Sequence, residues 1–313
     1  MTSPIPGYAE NVSEDRLLGH IAWYTISQPE VTHEQLAEMV SDLPLNKTLL
    51  PPKPRLGDAF KRACRYSERK KLDYKNDQFV NFLIRTVSQS TNEVVRHLVL
   101  EVVDAAGETL EYHDVAHLKF DRKQNVLNVR RLHLNDELDK LTEDTLNIFT
   151  DNFDKASRYL DAQVLRLFIR HQLDSMGAIS VRKQGSIYFA PLSVKDKTEG
   201  LETLCARLGN GSIFHSLPLV DTSKQREMIT AAFEEEVHDE ATQIIAELKA
   251  KKEDGVTVTA KAFDSYRDRY NRLKGNASEY AKLVEDELTK TKTEIQALDQ
   301  HLVKMLTEGL VKT

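Results

Sequence analysis

A group of histidines and a run of carboxylates are the residues whose types and spacing bear most directly on chemistry. His113 and His117 lie four apart on a segment that alternates apolar and polar residues, with His97 and His133 on the neighbouring alternating segments. Residues four apart on a strand face the same side, so two imidazoles placed this way can converge on a metal. At a rise of ~3.3 Å per residue, however, the pair stands about 13 Å apart along an extended strand, too far to share one ion. The spacing therefore predicts polar-face sheet residues and no metal. The second cluster is Glu234-Glu235-Glu236 with His238, Asp239 and Glu240, of which Glu235, His238 and Asp239 share one helical face. A carboxylate-bridged metal site needs matching Glu and His from the facing helices, and the facing segment offers only Asp286 and Glu287. The expectation is a charged helix flank.

Basic residues form a third cluster. Between Lys53 and Lys75 there are nine Lys and Arg against three acidic residues, with Tyr66 and Tyr74 among them. Cations along a segment can hold a phosphate backbone while tyrosines stack on bases. The residues that would make such contacts are Lys61, Arg62, Arg65, Arg69, Lys70 and Lys71, joined by Arg182 and Lys183 on a turn further along. The alternative is a solvated face paired with acidic groups of the same protein or a partner. No G-x-x-x-x-G-K-[ST] loop and no G-x-G-x-x-G after a strand is found, and no Ser/His/Asp or Cys/His order assembles. No catalytic residue, cofactor or metal site is assigned on these grounds.

These clusters must be positioned by elements that the periodicity predicts. Leu17, Leu18, Ile21 and Trp23 predict a short helix with Ser13 as its cap. A second helix starts at Thr32, three residues before Gln35 in a capping-box arrangement, with Leu36, Met39, Val40 and Leu43 inward. Pro51, Pro52 and Pro54 break regular structure. Gly57 to Arg69 reads as a helix with Phe60, Ala63 and Cys64 inward. From Gln78 the period changes from about 3.6 to 2, giving strands over Phe79–Val87, Val94–Val103, Leu110–Phe120 and Val126–Leu132. Loops this short predict an antiparallel meander with one helix-covered face. Helices follow over 136–157 and 161–175. A glycine stop and a turn at Gln184-Gly185 then give the outline of a winged helix, carrying Arg166, Arg170 and His171 on its helix. A helix near 199–208 and a strand at 212–220 complete that unit.

From Ser223 to Gly309 the apolar pattern predicts a long antiparallel coiled-coil hairpin turning at Gly255. Its first helix carries Ile229, Phe233, Val237, Ala241, Ile244 and Leu248. The second carries Phe263, Tyr266, Tyr270, Leu273, Ala277, Tyr280 and Val284, then Leu288, Thr291, Ile295, Leu298, Leu302 and Met305. The two successive steps of four at Tyr280, Val284 and Leu288 read as a stutter. At 1.5 Å per residue the second helix would overhang the first by about 30 Å. Its stripe of Ile295, Leu298, Leu302 and Met305 would then need another surface, either the globular body or another chain.

The overall fold class expected is α+β: a small antiparallel sheet with helices, a winged-helix-like unit and the C-terminal hairpin. The expected divisions are 1–52, 53–135, 136–222 and 223–313. A formal charge of −6 disfavours indiscriminate nucleic-acid binding. No stretch approaches ~18 consecutive apolar residues, so no membrane span is expected. The first sixteen residues have neither a basic start nor an apolar core, so no secretory signal is expected. Two unpartnered cysteines, Cys64 and Cys205, suit a reducing cytoplasm.

The stretch 181–191 (VRKQGSIYFAP), followed by 216–222 (SLPLVDT), the acidic helix and the segment 56–63 (LGDAFKRA), resembles an uncharacterised family of bacterial and bacteriophage proteins. The resemblance implies a prokaryotic or phage setting, hence the bacterial host cytoplasm if phage-encoded, and identifies no active site. The leading expectation is a non-enzymatic assembly or adaptor protein that binds a protein partner or a second copy of itself. Phe263, Tyr266, Tyr270, Ile295, Leu298, Leu302 and Met305 would form its interface, since Tyr is favoured at interfaces. The alternatives are a nucleic-acid-binding accessory factor using the basic segment and the wing, and an enzyme of unrecognised type.

Overall fold

Strict alternation from Phe79 onward builds the most regular part of the protein, a five-stranded antiparallel meander. The computed structural model describes residues 16–132, 136–182, 185–255, 257–285, 288–307 and 311–312. Within them the fold is α+β, with two antiparallel sheets and eight α-helices. The described residues group into two compact units. One draws on the described residues within 1–27, 38–50 and 166–313, the other on those within 28–37 and 51–165.

In the second unit the strands β2 (Arg69–Asp73), β3 (Phe79–Gln89), β4 (Glu93–Val103), β5 (Thr109–Asp121) and β6 (Val126–Arg131) lie side by side in chain order. One face carries Val80, Phe82, Ile84, Val94, Leu98, Leu100, Leu118 and Phe120. It packs against Phe60, Ala63 and Cys64 of α2 (Leu56–Tyr66) and Leu138, Leu146 and Phe149 of α3 (Asp136–Arg158). The segment expected to prolong α2 to Arg69 instead ends at Tyr66 and becomes edge strand β2. Thr32 caps α1 (His33–Ser41) as its spacing predicts: its hydroxyl accepts from Gln35 N at 3.2 Å, and its own N donates to Gln35 Oε1 at 2.9 Å.

In the first unit, the segment expected as a helix at Leu17 is strand β1 (Leu17–Thr25). It lies between β8 (Ile187–Pro191) and β9 (Ile213–Val220) in a four-stranded sheet of order β7-β8-β1-β9, where β7 is Ile179–Ser180. Central placement buries residues on both faces, and that erases the simple alternation by which a strand is recognised. Gly19 is required there: a Cβ would stand 2.2 Å from the Ala190 carbonyl oxygen. The hairpin read as a wing is thus the edge of a larger sheet. Lys183, expected on the wing, lies outside the described residues. Helix α4 (Ala162–Ser175) precedes β7, and α5 (Lys195–Leu208) precedes β9.

The C-terminal region is not the long two-helix coiled-coil hairpin that its apolar seam predicts. It is three separate helices: α6 (Ser223–Glu253), α7 (Ala260–Val284) and α8 (Thr289–Thr307). The chain turns where the stutter was read. Glu285 and Leu288 adopt left-handed backbone with φ of 55° and 48°, which ends α7 and redirects the chain. Lys290 pairs with Glu234 and Glu294 with His238, each 56 residues apart, so α8 runs parallel to α6. The expected overhang disappears, and Ile295, Leu298, Leu302 and Met305 are buried in one core with Ile229, Phe233, Ile244, Phe263 and Tyr266. Short strands β10 (Val258–Thr259) and β11 (Val311–Lys312) pair in parallel beside this bundle.

Candidate functional site

The outer face of the five-stranded sheet brings three ligand-capable side chains together. His97 on β4 and His117 on β5 are direct cross-strand partners. Their rings stack with centroids 3.9 Å apart and planes 11° from parallel. Asp114 completes the group: its Oδ2 lies 2.7 Å from His97 Nδ1 and 2.9 Å from His117 Nε2. In a regular strand Asp114 and His117, three residues apart, would face opposite sides of the sheet. A bulge prevents this. Leu98 pairs with Ala116 but Val99 pairs with Asp114, so Val115 is the extra residue. Val115 and Ala116 both turn into the core, and Asp114 is brought round to the histidine face.

Ligand-capable atoms of His97, Asp114 and His117 all lie within 4.8 Å of one another. The other carboxylate oxygen, Asp114 Oδ1, is buried and has no hydrogen-bond partner among the described residues. A shielded carboxylate oxygen with no donor is costly unless something electropositive reaches it. The imidazoles themselves are 25% and 32% exposed, so the cluster opens to solvent at its rim. Two imidazoles and one carboxylate form the donor set of first-row divalent metals. Three protein ligands also leave a coordination position for water or a bound molecule. His113, the other member of the expected pair, is separate: its Nε2 lies 2.8 Å from Glu111 Oε2. His133 lies outside the described residues. His113 and His117 do not share a face as their spacing predicts, because the bulge sets His113 in register with Leu100 and His117 with His97; the pair that meets is His97 with His117, across strands.

The basic segment is largely committed within its own unit. Lys53 pairs with Glu34, Lys61 with Asp58, Arg62 with Asp161 and Lys75 with Glu137. Arg62 also donates to the Ala156 carbonyl at 2.6 Å, and Arg69 donates to Thr145 Oγ1 at 3.4 Å. Arg65 lies over the Tyr66 ring, while Lys70 and Lys71 sit on edge strand β2. Arg65, Lys70 and Lys71 form no ion pair among the described residues. Arg182 is exposed after β7. The residues expected at a protein interface are placed differently: Phe263, Tyr266, Ile295, Leu298, Leu302 and Met305 are all buried by the chain's own helices. Tyr270 is partly buried, its phenol pushed up by burial and by the Asp299 carboxylate.

The acidic run of α6 faces cations. Glu240 accepts from Arg269 Nε at 2.7 Å and Arg272 Nη2 at 3.1 Å, and His238 meets Glu294. Asp286 and Glu287, named as the facing carboxylates, lie outside the described residues. Glu236, Glu240, Asp174, Arg170, Tyr188 and Arg272 line a polar cavity of about 440 Å³. Burial pushes the Asp174 and Glu236 carboxyls above the usual range, although Ser180 N donates to Glu236 at 2.8 Å. Guanidinium groups opposite these carboxylates already supply the positive charge a metal would bring. Neither thiol is poised for chemistry, since burial raises Cys64 to about 11 and Cys205 to about 12.

No helix among the described residues is long and apolar enough to cross a membrane. A protein-family model matches residues 17–311, and it is described as a family of unknown function, DUF6744. No curated protein matches the sequence.

Proposed function

The chain belongs to the DUF6744 family of unknown function, and we propose that it binds a divalent transition metal through His97, Asp114 and His117. The observation that carries this reading is the convergence of two imidazole nitrogens and one carboxylate within 4.8 Å of one another. The unpaired, buried Asp114 Oδ1 supports it, because a cation satisfies that oxygen where no protein donor does. Zinc suits the set, as it accepts mixed imidazole and carboxylate ligands without a strong geometric demand. When bound with an open position, such an ion supplies Lewis-acid polarisation of an attached oxygen. The chain's part is to hold the ligands on rigid strands, where a bulge rather than a mobile loop sets their positions.

The expectation of an assembly protein rests on an apolar stripe in need of a cover and on the tyrosine-rich stretch from Phe263 to Tyr280. With α8 folded beside α6, that stripe no longer supports it.

Calorimetric titration of zinc into the demetallated full-length protein tests the metal reading. One equivalent should bind, and His97→Ala with His117→Ala should abolish it. Undiminished binding in that double variant would sink the proposal.

A further inference from the structure

The two histidines are the middle of a longer row. Across the outer face, Arg85 on β3 pairs in register with His97, His97 with His117, and His117 with Arg130 on β6. Directly opposed side chains on neighbouring strands approach to about 5 Å at Cβ, so each arginine side chain starts beside a histidine and its guanidinium is within reach of the site. Both arginines are exposed, and neither forms an ion pair among the described residues. Two other cations on the strands that carry the histidines and their neighbours are committed. Lys119 pairs with Glu93, and Arg131, on the opposite face, pairs with Asp139 and Glu143. On the histidine face Glu101 lies two rows away, in register with Asn81 and Tyr112.

Such a row is an unusual setting for a cation by itself. With a divalent ion in place, the single Asp114 carboxylate offsets only part of the positive charge gathered between Arg85 and Arg130. An anion seated between the arginines, with one oxygen on the metal's open position, offsets the rest. A carboxylate has only two oxygens, so serving a metal and two guanidiniums at once would require one oxygen to be shared between two of them. A phosphate group has enough, and the planar guanidinium fork matches its oxygens. Resting on the metal reading above, we infer that this face binds a phosphate group, free or as a monoester, anchored on the metal and clamped by Arg85 and Arg130.

The test uses full-length protein, demetallated or zinc-loaded, and the variant Arg85→Ala with Arg130→Ala, each checked for folding by circular dichroism. Inorganic phosphate and phenyl phosphate are titrated calorimetrically, with acetate as the two-oxygen comparison. Zinc should bind the arginine variant with unchanged stoichiometry. At least one phosphate probe should bind the zinc-loaded protein roughly tenfold or more tighter than it binds the metal-free protein or the arginine variant, and tighter than acetate binds. Phenyl phosphate binding identifies a monoester site, and binding of inorganic phosphate alone identifies a site for the free ion. Phosphate binding that is absent, or equal with and without zinc or the arginines, overturns the inference while leaving the metal reading intact. Failure of zinc to bind the wild-type protein overturns both.

Discussion

His97 and His117 stack face to face across β4 and β5, with ring centroids 3.9 Å apart, while both reach the same oxygen of Asp114. Stacking and ligation are separable properties of such a pair. His117→Phe keeps an aromatic face against His97 but removes the nitrogen. We expect global stability within about 1 kcal/mol of wild type, because the site is a half-exposed sheet face. Zinc affinity should fall by at least about 100-fold, since losing a direct ligand exceeds the usual cost of losing a supporting hydrogen bond. Urea denaturation and zinc titration on the same sample check both. Unchanged zinc affinity would show that the pair is merely a packed surface.

In the first unit, Tyr280 ties the bundle to the β7 strand entry. Its hydroxyl donates to the Gly177 carbonyl at 2.9 Å, and its ring stacks on Phe233 at 4.2 Å. Tyr280→Phe keeps the ring and leaves a buried carbonyl without its donor, at a cost of about 1–2 kcal/mol. Tyr280→Ala also empties ring volume and should cost about 3–5 kcal/mol. Equal losses in the two variants, measured by denaturant unfolding, would mean that the hydroxyl carries the whole effect.

Leu298 distinguishes a core stripe from a surface one. It is fully buried against the other helices of its own chain. Leu298→Asp should therefore unfold the first unit, with a destabilisation of about 4 kcal/mol or more. Far-ultraviolet circular dichroism and light scattering read the two cases. A variant that stays folded but changes its oligomeric state would return the stripe to an interface role.

Asp174 provides a pH signature. Burial raises its carboxyl above the ordinary value, outweighing nearby Arg272, Arg170 and His171. A carboxyl raised on folding stabilises the protein at pH below its unfolded value, and that contribution is lost as pH rises through the folded value. Asp174→Asn should consequently increase the melting temperature at pH 7.5 relative to wild type, with the gain shrinking towards pH 4. A gain that grows on acidification would contradict the direction of the shift.

Periodicity and turn chemistry by themselves determined the four-strand meander from Phe79 to Arg131, the inward residues of α2, the capped start of α1 and the seam residues of the three C-terminal helices. These are local properties, because alternation, helical spacing and a cap each follow from residues a few positions apart. Three features were decided by tertiary structure alone. The sheet took up Leu17–Thr25 as a central strand, since pairing on both edges and burial on both faces outweigh a short helical spacing. The chain reversed at Glu285 through left-handed backbone at non-glycine residues, where the apolar steps are equally compatible with one continuous helix. Finally, the bulge at Val115 moved Asp114 onto the face of His97 and His117. Alternation assigns faces by odd and even position, and one inserted residue inverts that assignment for every residue before it. The candidate site depends on that inversion, so its histidines were visible in the sequence and their carboxylate partner was not.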